Sequence, residues 1–186
     1  RSWPRSSISR APATSTRVNA YELYLLGRHQ QLRRSPDGIA QAISYYKAAV
    51  AADPVLALAH AGLADAYMAR YREEDRPLEE VARLAQAEVD TALRLDPESS
   101  AAYSVWSLLL TEQGRTQEAI AAAERALAID SGSSEAYLRL GYARERSGLL
   151  RQALAAYDQS VALDPLSAPV HVRRCLVLQH LGRHAQ

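Results

Sequence analysis

Apolar residues first take on a helical spacing at Val18, with Tyr21, Leu23, Tyr24, Leu25 and Leu26 recurring on a helix face. Ser35-Pro36-Asp37-Gly38 interrupts that pattern. Ser35 is a capping residue type and Pro36 suits a first helical position. A second helix is predicted over about 39–52, stopped at Asp53-Pro54 because the residue before a proline avoids helical backbone. Helix pairs then follow at about 56–70 and 79–95, 100–113 and 117–129, and 134–147 and 151–163, with a last helix at about 167–181. Within pairs the turns are short, Gly114-Arg115-Thr116 and Ser147-Gly148-Leu149, which forces antiparallel neighbours. Residues 1–17 carry Arg, Ser, Pro and Thr without a period and read as a linker or tail, with Trp3 and Ile8 as its two possible anchors on the first helices.

The helix ends repeat. Ala-Leu-Arg-Leu-Asp-Pro (92–97), Ala-Leu-Ala-Ile-Asp-Ser (126–131) and Ser-Val-Ala-Leu-Asp-Pro (160–165) are copies of one segment, and positions 97, 131 and 165 stand 34 apart. Ala-Val-Ala-Ala-Asp-Pro (49–54) is a fourth copy, 43 positions before 97. The extra nine residues are assigned to 72–80, where Arg72-Glu73-Glu74-Asp75-Arg76-Pro77 is expected to lengthen a turn. A fixed period of this size marks a helical repeat array. The units are 18–54, 55–97, 98–131, 132–165 and a partial unit 166–186, together one domain over 18–186.

Position by position, these units resemble tetratricopeptide repeats. The second carries Leu63-Ala64, Tyr67, Ala85, Val89, Ala92 and Pro97. The third carries Tyr103, Trp106-Ser107, Leu110, Gly114, Ala119, Ala123, Ala126 and Ser131. The fourth carries Tyr137, Leu140-Gly141, Gly148, Ala153, Tyr157, Ser160 and Pro165, and the looser first has Leu26-Gly27, Ala42, Tyr46, Ala49 and Pro54 with a slightly long turn. The resemblance implies an all-α, right-handed superhelix of antiparallel helix pairs, about nine helices in all. It also implies that first helices line an inner groove. The small residues Ala64, Ser107 and Gly141 on first helices, and Ala85, Ala119 and Ala153 on second helices, allow close approach within each pair.

By that phase, the groove positions are Tyr21, Tyr24 and Arg28, then Leu58, Ala61, Asp65 and Met68, then Ala101, Ser104, Leu108 and Glu112. They continue with Glu135, Leu138, Tyr142, Glu145 and Arg146, and with Val172, Leu176 and Gln179 on the last helix. The peptide-binding candidates among them are Tyr21, Tyr24, Arg28, Leu58, Asp65, Met68, Ser104, Leu108, Leu138, Tyr142 and Arg146. Tyr24, Tyr142 and Arg146 lead, since aromatics and arginine dominate binding hot spots. The floor is expected to be apolar through Leu58, Met68, Leu108, Leu138 and Tyr142, suiting an extended or helical apolar peptide. For several of these positions the alternative is packing against the next repeat. Some repeat proteins of this family clamp a chaperone's terminal carboxylates with Lys and Asn. The matching places here hold Ala61, Asp65, Val105, Glu135 and Arg139, of which only Arg139 suits an anion.

Composition narrows the picture. A net charge of +1 argues against a nucleic-acid stripe or a membrane-surface patch. No apolar run approaches the ~18 residues of a membrane span. The lone Cys175 excludes an internal disulfide and fits a reducing, cytoplasmic setting. Cys175 falls at the small-residue place of the last unit, so a buried, inert thiol is expected. No phosphate loop, dinucleotide fingerprint or His-Glu-x-x-His is present, and no catalytic, cofactor or metal site is assigned. His180 and His184 stand four apart with Gly182 between them and no third ligand in view. Glu73-Glu74-Asp75 reads as a solvated run of carboxylates rather than catalytic groups.

Ala20-Tyr21-Glu22-Leu23-Tyr24-Leu25-Leu26-Gly27-Arg28 and the stretch 56–67 also resemble the C-terminal repeat region of bacterial regulators. In that group the repeats follow a winged-helix, adenylate-cyclase or kinase domain. Gly182-Arg183-His184 parallels Gly114-Arg115-Thr116, which precedes a second helix, so the chain is expected to stop mid-unit, through truncation or with its last helix acting as a cap. The expected role is a scaffold for a protein or peptide and not an enzyme. The alternatives are the regulatory domain of a signalling enzyme, or a homo-oligomer formed through the last helix.

Overall fold

Four aspartates end four helices in the same way. Asp53, Asp96, Asp130 and Asp164 each sit in extended backbone just past a helix, and each backbone N–H bonds back to the carbonyl four residues earlier. Each carboxylate then accepts the N–H two residues on, from Val55, Glu98, Gly132 and Leu166 respectively. That side chain satisfies a backbone donor at the point where the chain must turn, which is why aspartate suits the position. The stop survives in the third copy, where Ser131 replaces the proline, so the aspartate carries it.

The computed structural model describes the backbone of residues 13–74 and 77–184, with side chains over 18–71 and 77–182. Trp3 and Ile8, and the side chains of Glu73, Glu74, Asp75 and His184, lie outside the described residues. Nine helices are present among the described residues, and no strand. They are α1 (Ala13–Leu32), α2 (Pro36–Ala52), α3 (Ala57–Glu74), α4 (Leu78–Leu95), α5 (Ser100–Glu112), α6 (Thr116–Ile129), α7 (Ser134–Arg146), α8 (Leu150–Leu163) and α9 (Ala168–His184). Serines start three of them: the side chains of Ser35, Ser99 and Ser133 accept from the N–H of Gly38, Ala102 and Ala136.

Three differences from the sequence pattern have local causes. α1 begins at Ala13, inside the stretch expected as tail, because polar Thr and Ser can continue a helix without showing an apolar period. The run after Tyr71 does not lengthen a turn. α3 continues to Glu74 through good helix formers, and 75–77 is no longer than 113–115 or 147–149. The insertion instead makes α3 five residues longer than α5 and α4 four longer than α6. The turn of the first pair, 33–35, also has this common length.

At the turn position where Gly114 and Gly148 adopt φ of 78° and 76°, the first pair has Arg34 at φ 50°. Glycine enters that left-handed region freely, and arginine does so at a cost.

Partners within a pair pack antiparallel, and each second helix also touches the next first helix. First helices contact one another along the array: α1 with α3, α3 with α5, α5 with α7, and α7 with α9. Among the described residues, α2, α4, α6 and α8 make no such contacts with each other. First helices closed up and second helices splayed apart bend the array, and the first helices line its concave side.

The crossing inside each pair follows a size rule. A Cβ on Gly27 would meet the Tyr46 ring at 2.6 Å, and a Cβ on Gly141 would strike the Tyr157 ring. The equivalent places hold Ala64 with Val89, which share one core cluster, and Ser107 with Ala123. Where the first-helix residue is glycine its partner is tyrosine, and where it is alanine its partner is valine, so these three crossings are filled without overlap, while the third pair departs from the rule with two small residues.

Candidate binding face

Position 65 on α3 faces the concave side, and its carboxylate accepts from α1 and α7, with α2 joined to it through Gln31. The Tyr46 hydroxyl donates to Gln31 Oε1 at 2.8 Å. Gln31 Nε2 donates to Asp65 Oδ2 at 2.6 Å, and Arg139 Nη2 of α7 donates to Asp65 Oδ1 at 2.8 Å. Arg139 also pairs with Glu135 one turn earlier on α7. The bond joins α7 to α3, two first helices that both pack against α5. Arg139 is 6% exposed. Burial opposes its charge, but Glu135 and Asp65 outweigh that and hold it protonated more firmly than usual. The Nε of Arg139 and the hydroxyl of Ser104 have no hydrogen-bond partner.

A second cluster lies toward α9. The Tyr142 hydroxyl donates to Glu112 at 3.1 Å, and the Arg173 guanidinium lies 4.1 Å from the Tyr142 ring centre. Arg173 donates to Glu145 Oε1 at 3.3 Å while the Tyr157 hydroxyl donates to Glu145 Oε2 at 2.6 Å. Burial raises the pKa of Tyr142 and Tyr157 alike, with neighbouring carboxylates adding to it, so both remain donors. At the other end, Tyr21, Tyr24 and Tyr46 pack in series with their rings tilted by 34° and 39°, ring centres 5.8 and 5.9 Å apart. Burial raises the Tyr24 pKa, and Arg28 beside its hydroxyl partly offsets that.

The candidate residues therefore divide. Met68 and Leu108 are fully buried, and Ser104, Tyr24, Leu138 and Tyr142 nearly so. Leu58 and Asp65 are half-buried, while Tyr21, Arg28 and Arg146 are exposed. The expected apolar floor is not there: Met68, Leu108 and Leu138 are absorbed into clusters between repeats because adjacent first helices touch. The polar network of the same helices joins Asp65, Arg139 and Glu135, with Glu112 bonded to Tyr142. Sequence reasoning passed over Gln31 and Arg173 and weighed Arg139 only as an anion clamp, which its own carboxylate partners occupy. The signal available was a pair of arginines 34 apart, each matched to an acid of the array: Arg139 four residues after Glu135, and Arg173 28 after Glu145.

His60 staples a repeat boundary. Its Nε2–H donates to the Pro54 carbonyl at 3.0 Å and its Nδ1 lies 2.6 Å from Glu88. His171 repeats the first bond, to Pro165 at 2.8 Å. His60 is buried, as its packing position implied. Cys175 is exposed, contrary to expectation: among the described residues α9 packs only against α7 and α8, and neither covers the thiol. Among the described residues no group of three His, Cys, Asp or Glu side chains could hold a metal, and no helix is long and apolar enough to cross a membrane.

Two family profiles, each described as tetratricopeptide repeat, match residues 110–186 and 82–134. No curated protein matches the chain. Among solved structures, a thermophilic repeat protein of Thermus thermophilus is similar, at 24% identity and TM-score 0.70, covering 86% of this chain and 81% of that one. PilF of Pseudomonas aeruginosa gives 21% identity and TM-score 0.64, covering 92% and 72%. YrrB, described as having an unusual peptide-binding site, gives 18% identity and TM-score 0.50, covering 92% and 85%.

Proposed function

The chain is built of tetratricopeptide repeats, a fold that serves as a protein–protein interaction module, and from that premise we propose that it holds a protein or peptide segment along its concave face. The observation that carries this reading is the unbroken contact of first helices from α1 to α9, which presents one continuous surface. Tyr21 and Arg28 stand exposed at one end and Arg146 toward the other. Between them the charges alternate within the Asp65, Arg139 and Glu135 cluster. Such a face suits a segment of mixed polarity, with aromatic and arginine anchors giving most of the affinity. YrrB, whose description includes a peptide-binding site, shares the fold and supports the same use of it.

The stretches 20–28 and 56–67 further support a place in a larger, cytoplasmic bacterial regulator, with the repeats sensing or assembling. Regulation of a cyclase or kinase is the alternative, and the complete coding sequence separates the two.

Affinity capture from the native host with Tyr21→Ala/Arg146→Glu tests the groove. Both side chains are exposed, so helical content should be unchanged while specific partners are lost. Recovery of the same partners at the same yield would refute the reading.

A further inference from the structure

The two rims of the concave face differ in charge. First helices all run the same way, so the turns 53–56, 96–99, 130–133 and 164–167 lie along one rim and the turns inside the pairs along the other. On the first rim stand the carboxylates of Asp53, Asp96, Glu98, Asp130 and Asp164, with Glu135 in the first turn of α7. Among the described residues, the last turns of α2, α4, α6 and α8 add one cation to that rim, Arg94. The opposite rim mixes both signs: Arg33 and Arg34 precede Asp37, and Arg115 pairs with Glu118.

The first row of the face inside the acidic rim suits a side chain that is apolar along its stem and cationic at its tip. Leu58, Ala101 and Glu135 stand at one register on α3, α5 and α7. Leu58 is half-buried, and Ala101 and Glu135 are exposed. A lysine or arginine can lay its methylenes on Leu58 and Ala101 and point its charge at the Glu135 carboxylate. Arg139 does not oppose this. Its guanidinium already pairs with Asp65 and Glu135, and its side chain is 8% exposed against 24% and 48% for theirs. An approaching segment therefore meets carboxylates rather than the guanidinium. One turn on from Ala101, Ser104 is 3% exposed and its hydroxyl has no hydrogen-bond partner, an acceptor left over beside that row.

We propose that this rim selects a polypeptide segment carrying lysine or arginine at about every third residue, laid along the concave face; the proposal rests on the reading that the face holds a peptide. Charge complementarity chooses the sign, and the repeat chooses the spacing. Adjacent helices pack roughly 8–10 Å apart and an extended chain advances about 3.3 Å per residue, so every third side chain meets the same place on the next unit. An acidic segment would set its carboxylates against Glu98, Asp130 and Glu135. The exposed cations of the face stand away from the row. Arg28 is on α1, two first helices from Ala101, and Arg146 lies three turns along α7 from Glu135, roughly 16 Å at 1.5 Å per residue.

Fluorescence anisotropy on the intact chain with three labelled peptides tests this: a repeating Lys-Ser-Ala peptide, one of the same composition with its lysines in a single block, and a repeating Glu-Ser-Ala peptide. The spaced-lysine peptide should bind roughly tenfold more tightly than the block and weaken as salt is added, while the glutamate peptide should not bind. Glu98→Lys/Glu135→Gln should lower its affinity roughly tenfold or more at unchanged helical content, since Arg139 keeps Asp65. Glu79→Lys/Glu118→Gln changes the net charge equally on the opposite rim and should leave the affinity within about twofold. Failure of the spaced-lysine peptide to bind overturns the proposal. So does equal binding of the block, or an equal loss in the two variants. Any of these leaves the capture experiment on Tyr21 and Arg146 standing, so the two readings fail separately.

Discussion

Arg139 of α7 bonds Asp65 of α3 at 2.8 Å, from two repeats away. Repeat arrays are held together mainly by contacts between adjacent units, so their stability is close to a sum of neighbour terms. This bond couples the second unit to the fourth directly. With Asp65 also held by Gln31 of the first unit, three units share one carboxylate.

A double-mutant cycle on Asp65→Asn and Arg139→Met measures that link. Removing either partner should destabilise, with a coupling of roughly 1–3 kcal/mol, since Arg139 is almost wholly buried while Asp65 keeps some solvent. Urea unfolding of the four proteins gives the number. Additivity to within about 0.5 kcal/mol would show that the pair contributes nothing beyond its parts.

The size rule predicts a compensated exchange. Gly141→Ala should cost roughly 1–3 kcal/mol by driving a methyl into the Tyr157 ring. Tyr157→Val should cost roughly 2–4 kcal/mol through the space it empties. Together they reproduce the pairing of Ala64 with Val89, so the double mutant should be more stable than the sum of the two by at least about 1 kcal/mol. A double mutant as unstable as the sum would mean that the two residues do not set each other's size.

Arg34→Gly should stabilise the chain. The turn holds Arg34 at φ 50°, where Gly114 and Gly148 stand in the later repeats. Relief of that backbone is expected to give about 0.5–1 kcal/mol, a rise in Tm of a few degrees. A lower Tm in thermal melts followed by circular dichroism would contradict it.

Alkaline pH should unfold the protein by a tyrosine route. Burial is the main cause holding the Tyr46 and Tyr157 hydroxyls well above the ordinary phenol range. The unfolded chain ionises them near pH ~10. A group with a raised folded-state pKa stabilises fully below the unfolded value, and that contribution is lost as pH climbs toward the folded one. Stability should therefore fall above about pH 10, with the drop made shallower by Tyr46→Phe or Tyr157→Phe. Tyrosinate absorbance should lag for these two rings until unfolding; if they ionise with the exposed tyrosines, the account fails.

Fold and phase were legible because they depend on spacing. The 34-residue interval between Asp96 and Asp130 and between Asp130 and Asp164 placed every later helix to within a few residues. The concave surface was less legible, for two physical reasons. Helical phase says which way Met68 or Leu108 points, but not that the neighbouring first helix is close enough to bury it. Nor does spacing show that Arg139 reaches past its neighbour to Asp65, since curvature brings those two together and curvature arises from packing along the whole array. Cys175 was misread for the converse reason: its position within the repeat implied a cover, and burial depends on the cover being there.

The two helices of the second unit are longer than those of the third by about 6–7.5 Å at 1.5 Å per residue. Leu78, Ala82 and Gln86 of α4 line a shallow recess with Gln113, where the second unit meets the third. A row of equal units offers several equivalent seats, each one repeat from the next, and a ligand could settle in any of them. A change of helix length between the second and third units removes that degeneracy along its edge. Whatever lies there meets a single step, and so has one alignment with the array instead of several.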